Sequence, residues 1–327
     1  MSFKLAKLNN AAAVDTAGYE QLITTQEEIV AGVIETKYYQ LLGQSLADFV
    51  PMDVGRGAYA PAIFQYTSAY VGAPFEAGLV QPSEGLGINA KANIVIDGLT
   101  IKNNFWRMDY EVSHEIIEMG KVGVQAFSII EEKEKARKKI YDLGMQDVVF
   151  TGAGIDNVYG LMNQPTATVN TSLFAKDLKT MTATELSALV GSAVATYLAN
   201  NDSTQLFNRM IIPTSDFVAL GVPSNPDYPL KTKLQVIEDA FKQAGISDFK
   251  ILHSKYNETA STTGGKRYVF YNKDADSIRM YIPKQYTPHA LYPMNGIDFV
   301  SVAEAQFTGV QLLRPLEFLY ADVTASL

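Results

Sequence analysis

The sequence contains no cysteine and only three histidines among its 327 residues. Disulfide bonds, thiolate catalysis and cysteine-ligated metals are therefore excluded. His114, His253 and His289 lie far apart and lack the H-x-x-x-H spacing of two metal ligands on one helix face, so we expect no metal site. No apolar run approaches the ~18 residues of a membrane span, and the N-terminus lacks the apolar region of a secretory signal. We therefore expect no association with a membrane.

Sequence motifs of catalysis are missing as well. The chain has no GxxxxGKS or GxxxxGKT phosphate loop and no G-x-S-x-G nucleophile turn. Gly152 and Gly154 do not form a dinucleotide-binding fingerprint, because Asn157 stands at the third glycine position and a helix precedes them. Asp274 and Asp276 have D-x-D spacing, but the segment NKDAD between two predicted strands is typical of a turn. We expect a protein that is not an enzyme and binds no cofactor.

Charge and length set the broad class of protein. The chain has 27 Lys and Arg against 35 Asp and Glu, which gives a net charge of −8. A dedicated nucleic-acid-binding protein usually has a basic surplus, so tight binding to phosphates is not expected. A length of 327 residues predicts two subdomains rather than one.

The most informative stretch of the chain is residues 126–165. Apolar residues recur there at close to helical spacing and predict one long helix with an apolar face: Phe127, Ile130, Ala136, Ile140, Leu143 and Val148. The segment EEKEKARKK predicts a solvated face, with Glu131 placed to pair with Lys135 and Glu134 with Lys138. Glycine tolerates the positive φ that ends helices, so Gly152 and Gly154 predict the end of this helix. The segment GLMNQP, residues 160–165, follows them.

A long β-hairpin is predicted for residues 58–110. Residues 58–70 and 99–110 have the alternating pattern of strands, and residues 94–96 begin the second arm. Between the arms lies a tip rich in glycine and proline: Gly72, Pro74, Gly78, Pro82, Gly85 and Gly87. A two-stranded ribbon is marginally stable in water by itself, so this one needs a surface to lie on. That surface is either a neighbouring molecule or the hairpin's own domain.

The remaining elements are predicted from caps and periodicity. Helices are expected at 25–49, 111–119, 181–200, 214–220 and 230–244. Thr182, with Glu185 three residues later, predicts a capping box for the helix at 181–200. Strands are expected at 210–213, 249–252, 267–271, 277–282 and 316–323, with a hairpin of 299–307 and 310–313 around Gly309. Residues 283–293 contain three prolines and are expected to be irregular.

The order of these elements resembles the major capsid proteins of tailed bacteriophages, which have the Hong Kong 97-type fold and share it with encapsulins. The long helix, the glycine turn and GLMNQP are similar to the family's spine helix and the motif that follows it. The matching positions are Gly152, Gly154, Gly160, Leu161, Asn163 and Pro165. The segments NRMIIP, before residue 214, and TGVQLLRPLEFLYADV, near the end, also resemble the family's pattern.

The resemblance implies an α+β fold with a set division of the chain. Residues 1–25 would be an N-terminal arm, 26–57 a helix and connector, and 58–110 the extended loop with long strands. Residues 111–170 would form a peripheral domain with the spine helix, and about 171–300 an axial domain around the five- and six-fold axes. Residues 301–327 would return the chain to the peripheral domain.

The function implied by the resemblance is a structural one. The chain would assemble with itself, as pentamers and hexamers, into an icosahedral shell that encloses phage DNA without sequence-specific binding. A separate scaffolding protein and a portal would be partners, with assembly in the host cytoplasm and a final place in the virion. Two other functions stay open on the sequence alone: an encapsulin-like compartment shell, and a soluble enzyme of unfamiliar type.

Overall fold

The structure, a computed structural model, describes residue 41 and residues 44–72, 91–115, 129–224, 231–295 and 297–323. Within these ranges it combines helices with parallel and antiparallel strands, which confirms the α+β class. The predicted N-terminal arm lies outside the described residues. So do most of the helix predicted at 25–49, residues 116–119 of the helix predicted at 111–119, and most of the predicted hairpin tip. The start of the helix predicted at 111–119 was wrong, because Glu111 and Val112 are the last residues of a β-strand, Asn104–Val112.

The helices of the described ranges are, in chain order, α1 (Leu46–Phe49), α2 (Ile129–Thr151), α3 (Ala183–Asn200), α4 (Thr214–Leu220) and α5 (Lys233–Gln243). The strands before α3 are β1 (Met52–Val54), β2 (Ala62–Gly72), β3 (Ala92–Lys102), β4 (Asn104–Val112) and β5 (Thr168–Asn170). The later strands are β6 (Arg209–Pro213), β7 (Lys250–Ser254), β8 (Arg267–Tyr271), β9 (Ile278–Ile282), β10 (Lys284–Pro288), β11 (Tyr292–Pro293), β12 (Phe299–Phe307), β13 (Val310–Leu312) and β14 (Phe318–Asp322).

Local sequence explains where α3 and α5 begin. The Thr182 hydroxyl accepts a hydrogen bond from the Glu185 N–H, and the Glu185 carboxylate accepts one from the Thr182 N–H at 2.7 Å. This confirms the predicted capping box. Thr232 and Gln235 form the same reciprocal pair at the start of α5, and Gly245, with φ of +99°, follows its end.

A five-stranded sheet in the order β5-β14-β8-β6-β7 lies at the centre of the subunit. Alternate residues of a strand point to opposite faces of a sheet. One face packs on α3, α4 and α5 and contributes Met210, Ile212, Tyr268, Phe270, Leu319 and Ala321 to one hydrophobic core. The opposite face packs on the end of α2 and contributes Ile211, Val269, Tyr271, Phe318 and Tyr320 to a second core. Both faces of this sheet are therefore covered.

Two further sheets surround the second core. Strand β12 pairs antiparallel with β4 along its whole length, from Phe299 opposite Val112 to Phe307 opposite Asn104. It also pairs with β10 and β11. A three-stranded sheet has the order β1-β9-β13. Strand β4 therefore belongs to this body and not to the hairpin, whose arms are β2 and β3.

The prediction that residues 283–293 are irregular was wrong, because β10 and β11 occupy most of this segment. Both strands pair only with β12 and lie at the edges of its sheet. Proline lacks the N–H that a central strand needs, but edge strands tolerate it. Pro288 ends β10 and Pro293 ends β11, which is compatible with such edge positions.

The predicted hairpin around Gly309 was also wrong. Strand β13 pairs with β9, with Val310 opposite Met280, while β12 pairs with β4. The chain passes from one sheet to another at Gly309 instead of turning back. A Cβ at Gly309 would lie 2.9 Å from the Tyr159 carbonyl oxygen, and the Val310 N–H donates to that oxygen at 2.8 Å. Contact with a distant segment therefore overrides the local turn signal.

The apolar face predicted for α2 was wrong in its N-terminal half. Ala136 and Ile140 are exposed, whereas the charged Arg137 is 2% exposed. Near the C-terminal end of α2, the buried residues include Met145 and Val148, as the helical period requires. The ion pairs along the segment include Lys135 with Glu132 and Arg137 with Glu134, each three residues apart.

Arg137 is buried because strands β4 and β12 accept its hydrogen bonds. Its Nη1 donates to the carbonyl oxygens of Ser301 at 2.7 Å and Met108 at 3.4 Å. Its Nε donates to the Tyr286 hydroxyl at 3.1 Å, and its Nη2 to the Ser301 hydroxyl at 3.2 Å and to the Glu134 carboxylate. A buried charge is stable only when it is paired and hydrogen-bonded, and these partners meet that requirement.

Candidate assembly sites and the turn after the long helix

The predicted glycine turn ends α2 as expected. The helix stops at Thr151, and Gly152 and Gly154 have φ of +75° and +67°. A Cβ at Gly152 would lie 2.1 Å from the Val158 carbonyl oxygen, so both its backbone angle and its surroundings require glycine. A Cβ at Gly154 would meet no atom within 4 Å, so only the backbone angle favours glycine there.

The motif residues after this turn fold back onto the end of α2. The Leu161 N–H donates to the Val149 carbonyl at 2.7 Å, and the Met162 N–H donates to the Phe150 carbonyl at 2.9 Å. The last carbonyls of a helix have no partner within the helix. The motif supplies partners for two of them and so caps the long helix.

Asn163 completes this cap with its side chain. Its Nδ2 donates to the Thr151 carbonyl at 2.8 Å, and its Oδ1 accepts from the Gly160 N–H at 2.7 Å. A Cβ at Gly160 would lie 2.3 Å from the carbonyl carbon of Phe150, so the close approach requires glycine. Pro165 follows on the exposed side of the turn.

Gln164 links the turn to the C-terminal strands, and sequence reasoning did not single it out. It is buried, and its Nε2 donates to the Gly160 carbonyl at 2.9 Å and the Val310 carbonyl at 3.0 Å. Its N–H donates to the Tyr320 hydroxyl at 2.9 Å, and that hydroxyl donates to the Leu161 carbonyl at 2.7 Å. Burial raises the pKa of Tyr320, so its hydroxyl keeps the proton that it donates.

A buried ion pair joins the same turn to the five-stranded sheet. Arg267 on β8 donates from Nε and Nη2 to the two carboxylate oxygens of Asp322 on β14, at 2.7 and 2.8 Å. Its Nη1 donates to the Met162 carbonyl at 2.6 Å, and its guanidinium lies 4.1 Å from the centre of the Tyr320 ring. The motif is thus bonded within its own subunit and joins helix, turn and sheet.

The hairpin of β2 and β3 pairs antiparallel in a continuous register from Ala62 opposite Lys102 to Gly72 opposite Ala92. Gly98 lies in the middle of β3, beneath the ring of Phe64. A Cβ at Gly98 would come within 2.0 Å of that ring, so glycine makes room for it. The Phe64 and Tyr66 rings contact each other edge to face at 4.9 Å.

Most of the apolar surface of the hairpin is exposed. Tyr66 is 73% exposed and Ile96 is 65% exposed, and Phe64, Ile94, Val71 and Val95 are each more than half exposed. Among the hairpin residues whose burial is described, the buried ones lie at the root, where Ile63 and Ile101 pack against Tyr281. The described arms are therefore not folded back on the described part of their own subunit.

The predicted tip residues lie mostly beyond what the structure describes. The backbone of Gly72 ends β2, whereas Pro74, Gly78, Pro82, Gly85 and Gly87 lie outside the described residues. Their role stays a prediction.

The described ranges offer no cluster of side chains for metal chemistry. They hold no group of three His, Cys, Asp or Glu side chains that could bind a metal, and no helix that could cross a membrane. His253 is buried against the Phe217 ring, and His289 lies 3.1 Å from a Glu304 carboxylate oxygen. The Asp274 backbone carbonyl accepts a hydrogen bond from the Ser277 N–H at 3.0 Å, which confirms the turn predicted there.

Comparison with solved structures gives the fold. The capsid of Myoviridae phage XM1 is similar over 91% of this chain and 97% of that chain, with a TM-score of 0.72 and 11% identity. A chain of Mycobacterium phage Bobi is similar over 96% of this chain and 100% of its own, with a TM-score of 0.60 and 11% identity. The capsid of a native GTA particle is similar over 97% of this chain and 99% of that chain, with a TM-score of 0.53 and 13% identity.

The molecule therefore has the Hong Kong 97-type fold of phage capsid subunits, as the order of its elements predicted. The sequence profile of the family described as major capsid protein matches residues 87–323, which is most of the chain. The chain belongs to the major capsid protein family and is a structural shell subunit of the phage head, located in the virion. No curated protein has a sequence that matches this chain.

Proposed function

We propose that the hairpin of β2 and β3 lies on a neighbouring subunit and holds pentamers and hexamers of this chain together. The observation that supports this proposal is the exposed apolar surface of both arms, led by Tyr66 and Ile96. Soluble monomers rarely expose large contiguous apolar surfaces, and such surfaces are typical of protein interfaces. A second copy of the chain is the partner that a shell places beside every subunit.

The energetics favour such an arrangement. Burial of one large apolar side chain contributes about 1.5–3 kcal/mol, so one hairpin provides a contact of moderate strength. Each subunit of a closed shell makes several contacts at once, and their combined effect greatly exceeds that of one contact. A moderate contact also lets subunits dissociate and correct their positions during growth of the shell.

The other predicted partners complete the proposal. A shell that encloses DNA does not need to bind it tightly. The net charge of −8 is compatible with enclosure of DNA with weak binding to its phosphates. A subunit that forms both pentamers and hexamers is compatible with shells of several curvatures. A scaffolding protein and a portal would then select one shell size during assembly in the host cytoplasm. The role of the chain is structural, without catalytic activity.

The test is an assembly experiment on the full chain. Phe64→Ser, Tyr66→Ser and Ile96→Thr would be combined in one variant, with Val54→Thr, on β1 outside the hairpin, as the control. We expect the triple variant to fold, judged by circular dichroism, and to lose shells in light scattering and negative-stain microscopy. The control should assemble as the parent chain does. Normal shells from the triple variant would contradict the proposal.

A further inference from the structure

The hairpin leaves the body of the subunit through a turn with an unusual backbone. The turn follows β1 and precedes β2, and Tyr59 in this turn has φ of 64°. Residues with a side chain rarely adopt this left-handed conformation, and Tyr59 is not one of the residue types that tolerate it well. The side chain is 61% exposed, so burial of its ring does not offset the cost. Specific contacts must hold this turn in place.

A set of amide groups provides the first contacts. The Tyr59 N–H donates to Oε1 of Gln306, a buried residue of β12, at 2.7 Å. Asn103, between β3 and β4, donates from Nδ2 to the Ala60 carbonyl at 2.9 Å and to the same Gln306 oxygen at 3.4 Å. The Asn103 N–H donates to the Pro61 carbonyl at 3.0 Å. Both ends of the hairpin are thereby joined to each other and to β12.

Charged groups provide the second set of contacts to the turn, through the side chain of Tyr59. The Tyr59 hydroxyl donates to Glu304 Oε1 at 3.1 Å and contacts the Lys284 ammonium. Lys284 also bonds to Glu304, whose carboxylate lies 3.1 Å from His289 and 3.5 Å from Arg107. The side chains of Tyr59, His289 and Arg107 are exposed to water, so salt screens their contribution. The Lys284 and Glu304 side chains are only 17% and 15% exposed, so salt screens this pair less. The buried amide contacts are the least sensitive to salt.

We propose that Tyr59, Asn103 and Gln306 form a clasp that fixes the direction in which the hairpin leaves the subunit. Beyond the clasp, the described contacts of the hairpin with its own subunit are confined to the root. There, Ile63 and Ile101 pack on Tyr281, and the Tyr281 hydroxyl donates to the Gln65 side chain at 2.6 Å. That apolar contact acts as a pivot, and the clasp selects one angle about it. Release of the clasp lets the hairpin take other directions while both cores stay folded.

The test measures the direction of the hairpin in the dilute full-length subunit. The chain has no cysteine, so two introduced cysteines can be spin-labelled without background. Asn93→Cys on β3 and Ile140→Cys on α2 are both exposed positions. Pulsed electron–electron double resonance then gives the distribution of distances between the label on the hairpin, at position 93, and the label on the helix, at position 140.

Four variants in this labelled background separate the clasp from general destabilisation. Tyr59→Pro removes the N–H and forbids the positive φ, and Gln306→Leu removes the acceptor at similar volume. Tyr59→Asn keeps the N–H and tolerates the positive φ, so it is the conservative variant. Gln311→Leu is the control for Gln306→Leu, because it makes the same substitution at a glutamine on β13, away from the clasp.

We expect Tyr59→Pro and Gln306→Leu to broaden the distance distribution about twofold or shift its maximum, because the hairpin then samples other directions. Tyr59→Asn and Gln311→Leu should keep the parent distribution. Unchanged distributions in folded Tyr59→Pro and Gln306→Leu would overturn the proposal. Tyr59→Pro lies in an exposed turn, so it decides the test even if Gln306→Leu does not fold.

A second readout concerns the shell, and this part rests on the proposed docking of the hairpin. If the hairpin docks on a neighbour, Tyr59→Pro should give particles with a wider range of diameters in cryo-electron microscopy than Tyr59→Asn. A broadened distance distribution with unchanged particles would support the clasp and count against docking. An unchanged distribution with altered particles would contradict the clasp alone.

Discussion

The five-stranded sheet and the hairpin are built from the same kinds of residue but are covered differently. Ile211 and Ile212 are neighbours on β6, and each enters a different core, so both faces of the sheet are buried. On the hairpin, Val95 and Ile96 also point to opposite faces, and both are exposed. The difference lies in the surroundings and not in the strand pattern. The sheet stabilises the subunit, whereas the apolar side chains on the described arms of the hairpin stay exposed and add little to its stability.

The largest expected effect comes from the buried ion pair of the sheet. Arg267→Leu leaves Asp322 buried without its partner, and loss of one partner of a buried pair costs about 3–5 kcal/mol. Urea unfolding followed by circular dichroism would measure this loss. Lys231→Met removes an exposed pair with Asp239, and water and salt screen that pair, so stability should change far less than in Arg267→Leu. Equal losses in the two variants would show that the sheet is not the more sensitive region.

The turn after α2 gives a matched pair of glycine substitutions. Gly152→Ala places a Cβ 2.1 Å from the Val158 carbonyl at a positive φ, so we expect a loss of about 2 kcal/mol or more. Gly144→Ala lies within α2, where a Cβ meets no atom within 4 Å, and should stabilise the subunit by about 0.5–1 kcal/mol. Opposite signs in thermal unfolding are the expected result. A neutral Gly152→Ala would contradict the structural role of the turn.

A pH dependence is expected from the body of the subunit and not from the hairpin. Burial lowers the pKa of His253 below its ordinary value of about 6.5. The unfolded chain then binds this proton at higher pH than the folded chain, so stability falls as the pH drops below about 6.5. Unfolding midpoints at pH 7.5, 6.5 and 5.5 would show the slope. His253→Phe should reduce this slope, so an equal slope in His253→Phe and the parent chain would contradict the assignment.

The smallest expected effect is on the hairpin itself. Ile96→Thr changes an exposed side chain and should alter the free energy of unfolding by less than about 0.5 kcal/mol. Ile212→Thr changes a side chain of the same type within the sheet and should cost several times more, because it introduces a hydroxyl into a packed core. Similar losses in the two variants would erase the contrast between the two regions.

Prediction from sequence worked where the signal was local. The capping box of Thr182 and Glu185 and the stop at Gly152 depend on residues a few positions apart, and both were correct. The pairing of β4 with β12 depends on segments far apart in the chain. The local signal at Gly309 therefore wrongly predicted that β12 pairs with β13. Arg137 was placed on a solvated face because its acceptors, such as the Ser301 carbonyl, have no sequence signature. Gln164 stood inside the recognised motif, but only the structure shows what it contacts.

The place of β14 in the central sheet has a consequence for synthesis of the chain. It pairs with β5 on one side and β8 on the other, and its alternate residues enter both cores. During translation β5 has no β14 to pair with until roughly 150 further residues are made. At about 5–20 residues per second, this synthesis takes about 7–30 s. Neither core can close before β14 emerges from the ribosome. Incomplete nascent chains therefore lack the folded body that a growing head would accept.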